Sequence, residues 1–158
     1  MDGYPAGPYG VSEGTVLADL AFARPDGSTL RISDAWRDDS HRVMVLVTAS
    51  GWCTSCIEEQ PAYEAFHRKY AARGLYMALA IFEDPQFEPA TAEYSASWKT
   101  RHSLSLEVVA DTPFQLQQYY NRELTPMVMI VDMDTMEILR ISTGWDEASV
   151  GAIVESRL

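Results

Sequence analysis

The two cysteines of this chain, Cys53 and Cys56, are separated by two residues and follow the apolar run of residues 43–47. This spacing at the start of a helix places both sulfurs on the first helical turn, close enough to form a small disulfide. The N-terminal sulfur then faces the free backbone N–H groups of that turn, which favour a thiolate. The pattern therefore predicts redox chemistry, with Cys53 as the attacking nucleophile and Cys56 as the resolving thiol.

Two other uses of a cysteine pair are a structural disulfide and one half of a four-ligand zinc site. The zinc site would need two further Cys or His ligands with matching spacing. The chain has no other cysteine, and His41, His67 and His102 are isolated in the sequence. We therefore expect no metal site and no bound cofactor, and we favour redox use over a static disulfide.

Residues around and beyond the cysteine pair extend the motif. Residues 52–56 with Glu59 and Pro61 give W-C-x-x-C-x-x-E-x-P, and Thr125 and Pro126 precede a second apolar run. With these features the chain resembles the thioredoxin superfamily, and within it the extracytoplasmic TlpA/ResA-type, redoxin (AhpC/TSA-like) group. The resemblance extends from about residue 15 to the C-terminus. It implies a thiol-disulfide oxidoreductase that acts on protein disulfides and exchanges electrons with a redox partner.

The resemblance also implies roles for four further residues. Glu59 would relay the proton that Cys56 must lose, and its alternative is an ordinary solvated helix glutamate. Pro126 would follow a cis peptide bond and leave the backbone of Thr125 free to pair with a substrate segment. Only about one X-Pro bond in twenty is cis in folded proteins, so this prediction depends on the resemblance. Trp52 would form a wall of the substrate site, with ordinary packing as the alternative.

Three functions remain open at this point. The first is a protein-disulfide reductase. Glu58 and Glu59 place negative charge near the sulfurs, and residues 49–66 contain no Lys, Arg or His, so we expect the pKa of Cys53 to be lowered only moderately. A moderate shift favours a reductase over an oxidant. A redoxin-type thiol peroxidase is the second, because Cys56 and Glu59 resemble the C-x-x-E of peroxiredoxins. The threonine expected three residues before the peroxidatic cysteine is Cys53 here. The third is a non-catalytic binding module of the same fold.

Composition limits the partners and the compartment. A chain of 158 residues with 47% hydrophobic residues and no long apolar run predicts one globular domain without a transmembrane span. The net charge of −11 disfavours a nucleic-acid partner. The N-terminus lacks a basic region followed by an apolar one, so we expect either a cytoplasmic protein or a mature form without its leader. The resemblance favours a periplasmic or otherwise extracytoplasmic protein, lipid-anchored in its full-length form; we expect a monomer.

We predict that these residues are positioned by an α/β, thioredoxin-like fold with a central mixed β-sheet flanked by helices. Residues 1–14 contain Gly and Pro clusters and are expected to be a flexible segment or tether, followed by a domain of residues 15–158. A turn at residues 25–27 predicts an N-terminal β-hairpin extension. Residues 42–49 and 75–82 predict buried parallel strands, joined by a helix that a proline kinks.

The second half of the chain adds an insertion and the closing hairpin. A helix over about residues 90–102 and a short strand at 107–110 resemble the inserted helix-strand between the βαβ and ββα halves. Another helix is predicted next, with Thr112 as its N-cap and Pro113 at its first position. Residues 127–131 and 138–142 predict a hairpin that precedes the terminal helix.

Overall fold

The computed structural model describes residues 3–158 and contains one mixed sheet of seven strands. The strands are β1 (Ala21–Ala23), β2 (Thr29–Arg31), β3 (Val43–Ser50), β4 (Leu75–Glu83), β5 (Glu107–Ala110), β6 (Met127–Asp132) and β7 (Glu137–Thr143). Their order across the sheet is β2-β1-β5-β4-β3-β6-β7, with β3, β4 and β5 parallel and the other neighbouring pairs antiparallel. This confirms the predicted α/β class with a mixed central sheet.

Helices flank the sheet and bury β3 on both of its faces. One face packs with Tyr63 and Val150, and the other packs with Phe22 of the hairpin. Burial on both faces explains why β3 has a continuous apolar sequence. Within the described part of the chain, none of the helices has the length and apolar character needed to cross a membrane. The helices are α1 (Ile32–Trp36), α2 (Thr54–Glu58), α3 (Gln60–Tyr70), α4 (Ala92–Arg101) and α5 (Glu147–Glu155).

The segment after the cysteines is divided at Glu59 into α2 and α3. Pro61 lies in the first turn of α3, where its missing N–H group is tolerated. The sequence predicted one helix kinked at Pro61, whereas the structure has two helices that are divided two residues earlier, at Glu59. A short 3₁₀ turn follows α3, and Gly74 ends it with a φ of 119°, in the left-handed region that favours glycine.

The inserted helix and strand are present as α4 and β5. Thr91 caps α4 by accepting a hydrogen bond from the Tyr94 N–H at 3.0 Å. β5 then pairs in parallel with β4 and in antiparallel fashion with β1. The insertion therefore joins the N-terminal hairpin to the strands that carry the cysteines.

The helix predicted to begin at Thr112 and Pro113 was wrong. The segment forms a 3₁₀ turn at Gln115–Tyr119. The buried carboxylate of Asp111 accepts from the first two N–H groups of that turn, at 2.9 and 3.0 Å, and burial raises its pKa. The Thr112 hydroxyl instead donates to the Ala90 carbonyl at 2.6 Å. The capping role therefore belongs to the residue before the one that the sequence suggests.

The N-terminal segment contacts the domain. The Tyr4 hydroxyl donates to the Leu17 carbonyl at 2.7 Å, and Tyr9 forms an isolated bridge with Val16. Met1 and Asp2 of the predicted tether lie outside the described residues. The division into residues 1–14 and 15–158 stays a prediction.

Candidate active site

Cys53 and Cys56 form a disulfide just beyond the C-terminal end of β3. Cys53 is the N-cap residue of α2, and its N–H group donates to the Ser50 carbonyl at 3.2 Å. Cys53 is 6% exposed, whereas Cys56 is fully buried. Cys53 is therefore the cysteine that an approaching substrate can reach.

The Cys53 sulfur lies among groups that would stabilise a thiolate after reduction of the disulfide. The backbone N–H of Cys56 points at this sulfur from 3.2 Å, and Ser55 Oγ lies 3.5 Å from it. Hydrogen bonds to the charged form of a thiol favour that form. Because α2 has only five residues, these local donors act more directly than the helix dipole on which the sequence argument relied.

A loop before β6 brings Thr125 to the disulfide. The Thr125 carbonyl oxygen lies 3.7 Å from Cys53 Sγ, although the two residues are 72 positions apart. The peptide bond between Thr125 and Pro126 is cis. The Thr125 hydroxyl donates to the Arg122 carbonyl at 2.6 Å and lies 3.1 Å from the Tyr120 hydroxyl. These bonds fix the loop with its carbonyl facing the reactive sulfur.

Glu59 is half-buried at the junction of α2 and α3, one turn beyond Cys56. The hydroxyl of the buried Tyr63 donates to Glu59 Oε1 at 3.0 Å. Burial and the adjacent carboxylate raise the pKa of Tyr63 far above its usual range, so its hydroxyl remains a donor. Tyr63 is not part of the sequence motif, so its contact with Glu59 is known from the structure alone.

Gln60 forms a second buried contact beneath the disulfide. Its side-chain amide donates to the Cys56 carbonyl at 2.8 Å and accepts from Trp98 Nε1 at 3.1 Å. Both Gln60 and Trp98 are buried. Sequence analysis missed this contact because the two side chains are 38 residues apart. A glutamine on the packed side of α3 is the one local signal for it.

Trp52 stands on the other side of the disulfide as part of a polar and aromatic cluster. Its indole Nε1 donates to Glu83 Oε1 at 2.8 Å, and Glu83 is also paired with Arg122. The Arg122 guanidinium lies 5.6 Å from the Trp52 ring centroid, and Phe87 stacks on the same indole with centroids 5.6 Å apart. Because Glu83 ends the strand next to β3, sheet topology alone could have suggested its nearness to the cysteines.

Gly51 brings the inserted segment against the cysteine loop. Its N–H donates to the Glu83 carbonyl at 2.8 Å. A Cβ atom at this position would collide with the Tyr94 hydroxyl and the Pro85 backbone nitrogen. The backbone between β3 and Cys53 is therefore closed in by residues of the next loop and of α4.

The site thus brings together Trp52, Cys53, Cys56, Thr125 and Pro126, with Glu59 one turn away. This set has the parts needed for thiol-disulfide exchange: an accessible sulfur, a buried partner sulfur and a nearby carboxylate. Among residues 3–158, no group of three or more His, Cys, Asp or Glu side chains is arranged to hold a metal ion.

Comparison with known proteins gives one family match. Residues 14–140 match the model of the AhpC/TSA family. No curated protein sequence matches this chain.

Solved structures share the fold over nearly their whole length. A candidate thiol:disulfide interchange protein DsbE from Chlorobium tepidum has a TM-score of 0.71 at 18% identity, over 92% of this chain and 95% of that chain. A secreted disulfide oxidoreductase from Mycobacterium tuberculosis has a TM-score of 0.65 at 13% identity, over 87% of this chain and 96% of that chain. An exposed lipoprotein thioredoxin from Streptococcus pneumoniae has a TM-score of 0.70 at 17% identity, over 88% of this chain and 99% of that chain. At these identities the likeness establishes the shared fold.

Proposed function

The chain belongs to the AhpC/TSA family, and on that premise we propose that it is a thiol-disulfide oxidoreductase that reduces disulfides of other proteins. The observation that carries the proposal is the asymmetric disulfide, in which Cys53 keeps a small exposed surface and Cys56 has none. Donors from Cys56 and Ser55 surround the accessible sulfur. This arrangement suits a nucleophile that must be a thiolate when free and easily displaced when bound.

In the first step, the Cys53 thiolate attacks one sulfur of a substrate disulfide. A bond forms between Cys53 Sγ and that sulfur, the substrate S–S bond breaks, and the released substrate thiolate takes a proton from water. The Cys56 N–H and the Ser55 hydroxyl favour the attacking thiolate until the new bond forms. The product is a mixed disulfide between protein and substrate.

In the second step, Cys56 loses its proton and attacks Cys53 Sγ. Glu59 accepts this proton in our proposal, directly or through one water molecule. The mixed disulfide breaks, the second substrate thiolate leaves, and the Cys53–Cys56 disulfide of the structure is restored. The leaving thiolate takes the proton that Glu59 holds, so the substrate has gained two electrons and one proton from the protein and one proton from water. A dithiol partner must return the two electrons before the next turnover.

Trp52, Thr125 and Pro126 are proposed to bind the substrate segment. The Thr125 carbonyl lies 3.7 Å from Cys53 Sγ and can accept a backbone N–H from an extended segment carrying the target cysteine. Trp52 borders the same sulfur. Such backbone pairing would hold substrates of differing sequence in one register.

We further propose an extracytoplasmic location and a monomeric state. Two of the structural neighbours are a secreted oxidoreductase and an exposed lipoprotein. A cytoplasmic location remains the alternative. Fractionation of cells that express the full-length gene product tests the location.

A thiol peroxidase is the second candidate, because the family match includes the AhpC/TSA name. Cys56 would be the peroxidatic residue by its spacing to Glu59. Full burial of Cys56 and the presence of Cys53 in place of the expected threonine oppose this role. Consumption of hydrogen peroxide with a dithiol reductant, at a rate that exceeds protein-disulfide reduction, would establish it.

The test of the leading proposal is a redox titration that measures the midpoint potential of the Cys53–Cys56 couple in dithiol and glutathione buffers. The fluorescence of Trp52 reports the oxidation state. A value at or below about −250 mV supports a reductase. A value between about −120 and about −180 mV would instead make the protein an oxidase or isomerase. Absence of a reversible couple would leave a non-catalytic binding module.

A further inference from the structure

Exposed apolar side chains are concentrated around the disulfide. Five large apolar residues stand out as exposed in the described range 3–158: Tyr9, Val11, Ile57, Phe87 and Leu124. The last three are 39%, 61% and 54% exposed, and each is a neighbour of a site residue, in sequence or by stacking. Apolar surface grouped in this way marks an interaction site more often than scattered single residues do.

The three residues reach the disulfide from three separate segments. Ile57 follows Cys56 in α2. Leu124 precedes Thr125, whose carbonyl faces the Cys53 sulfur. Phe87 stacks on Trp52 with an interplanar angle of 19°. The three exposed side chains therefore belong to the segments that form the disulfide site.

The loop that carries Phe87 is built to present it. Asp84 Oδ1 accepts from the N–H groups of Gln86 and Glu88 at 2.8 and 3.0 Å, and the Phe87 N–H donates to the Asp84 carbonyl at 3.1 Å. Phe87 has a φ of 64°, a conformation that is uncommon for a large side chain. The side chain is thus held in an exposed position by its backbone and by the indole of Trp52.

Each of the three apolar residues has an exposed glutamate as its sequence neighbour. These neighbours are Glu58, Glu88 and Glu123. Arg122, the cation of the same region, is already paired with Glu83. The surface around the disulfide therefore combines apolar contact with uncompensated negative charge, within a chain whose net charge is −11.

We propose that Ile57, Phe87 and Leu124 form a docking surface that selects the protein segment to be reduced. The occupant is an extended, positively charged segment with a large apolar side chain next to its disulfide cysteine. The apolar side chain contacts Phe87 or its two companions, and Lys or Arg residues of the segment face the three glutamates. This inference depends on the proposed function and defines its substrate class.

The experiment measures the rate constant for oxidation of the reduced protein by four symmetric peptide disulfides in single-turnover mixing. The peptides carry Phe or Gly beside the cysteine, each in a Lys-containing and a Glu-containing form. We expect the Phe and Lys peptide to react about tenfold faster than either singly changed peptide, given what one apolar contact contributes to discrimination. The preference for Lys should weaken as salt is added, because surface charges are screened.

Two variants assign the preference to this surface. Phe87→Asn, which keeps a residue that tolerates positive φ, should remove most of the preference for Phe. The triple variant Glu58→Gln, Glu88→Gln and Glu123→Gln should remove most of the preference for Lys.

Each variant has a matched control. Val11→Ser, at an exposed apolar site away from the disulfide, should preserve the preference for Phe. The triple variant Asp39→Asn, Asp134→Asn and Glu137→Gln, with the same change in charge at distant exposed sites, should preserve that for Lys.

An uncharged small disulfide, 2-hydroxyethyl disulfide, separates the two ways to fail. If the wild-type protein reacts with it but treats all four peptides alike, the docking surface is wrong and the proposed function stands. Equal loss of the Lys preference in both triple variants would also overturn the surface, since net charge alone would then explain it. If the wild-type protein reacts with no disulfide, the proposed function itself fails.

Discussion

The two sides of the disulfide differ in what surrounds them. Toward solvent, Cys53 faces the Thr125 carbonyl and follows Trp52, on which Phe87 stacks. Toward the core, the carbonyl of Cys56 is held by Gln60, whose own partner is the buried Trp98. The outer side offers contacts to another molecule, and the inner side satisfies its polar groups within the protein. A two-residue spacing in the sequence thus produces two cysteines with unequal exposure, and the roles that we propose for them depend on this inequality.

Separate replacement of the two cysteines gives the largest effect and tests that inequality directly. Cys53→Ser should lower the rate of protein-disulfide reduction by at least about 10³-fold, because the accessible nucleophile is lost. Cys56→Ser should still attack and should accumulate a mixed disulfide with the substrate. Intact-protein mass spectrometry after acid quenching detects that adduct. A stable adduct on Cys56 in the Cys53→Ser variant would reverse the assignment.

The next effect concerns the proton that leaves the inner cysteine. Glu59→Gln should slow resolution of the mixed disulfide by about 10²-fold, since it removes the proposed proton acceptor. The formation of the mixed disulfide should change much less, and quenched-flow mass spectrometry resolves the two steps. Glu147→Gln, at an exposed position in the first turn of α5, is the control.

Tyr63→Phe refines this prediction. It leaves the Glu59 carboxylate in place and removes the 3.0 Å hydrogen bond to it. We expect resolution to slow about threefold, in keeping with the loss of one modest hydrogen bond. A loss as large as that of Glu59→Gln would mean that Tyr63 itself takes part in proton transfer.

Substitutions on the core side of the disulfide should also lower the free energy of unfolding. Trp98→Phe leaves the buried Gln60 oxygen without its donor and should cost about 1 to 3 kcal/mol in the free energy of unfolding, measured by urea denaturation of the oxidised protein. Adding Gln60→Met removes the unpaired oxygen together with the hydrogen bond to the Cys56 carbonyl, so the double variant should lose less than the sum of the two single losses. Strictly additive losses would show that the contact contributes nothing of its own.

The smallest effect is a pH dependence of the same inner region. The His102 ring packs on Trp98 with centroids 4.9 Å apart, and burial lowers the pKa of His102. Above the ordinary histidine pKa of about 6.5, both folded and unfolded forms are neutral. As the pH falls below that value, the unfolded chain binds the proton first, so the free energy of unfolding decreases. Comparison of urea midpoints at several pH values with those of His102→Gln isolates this contribution.

The sequence predicted the parts of the site that depend on neighbouring residues. The apolar run of β3, the spacing of Cys53 and Cys56 and the break near Pro61 are local signals, and all are present in the structure. The resemblance added Thr125 and Pro126, which the structure places at the disulfide. Their roles in binding and catalysis remain proposals.

The parts that the sequence did not predict depend on contacts between distant segments. Trp98 is joined to Gln60 across 38 residues, and Arg122 is joined to Glu83 across 39. Local capping rules favoured Thr112, but the buried carboxylate of Asp111 is the cap. For Gln60, Trp98 and Asp111, burial determined which polar groups had to be paired, and burial is a property of the folded chain.

The close approach at Gly51 has a consequence for the energetics of the redox cycle. The loop before Cys53 is held by the Glu83 carbonyl and closed in by Pro85 and Tyr94, none of which depends on the disulfide bond. We therefore expect the surrounding backbone to stay in place when that bond is reduced. We expect amide hydrogen exchange in this loop to be alike in the oxidised and reduced proteins, so that electron transfer carries little reorganisation of the chain.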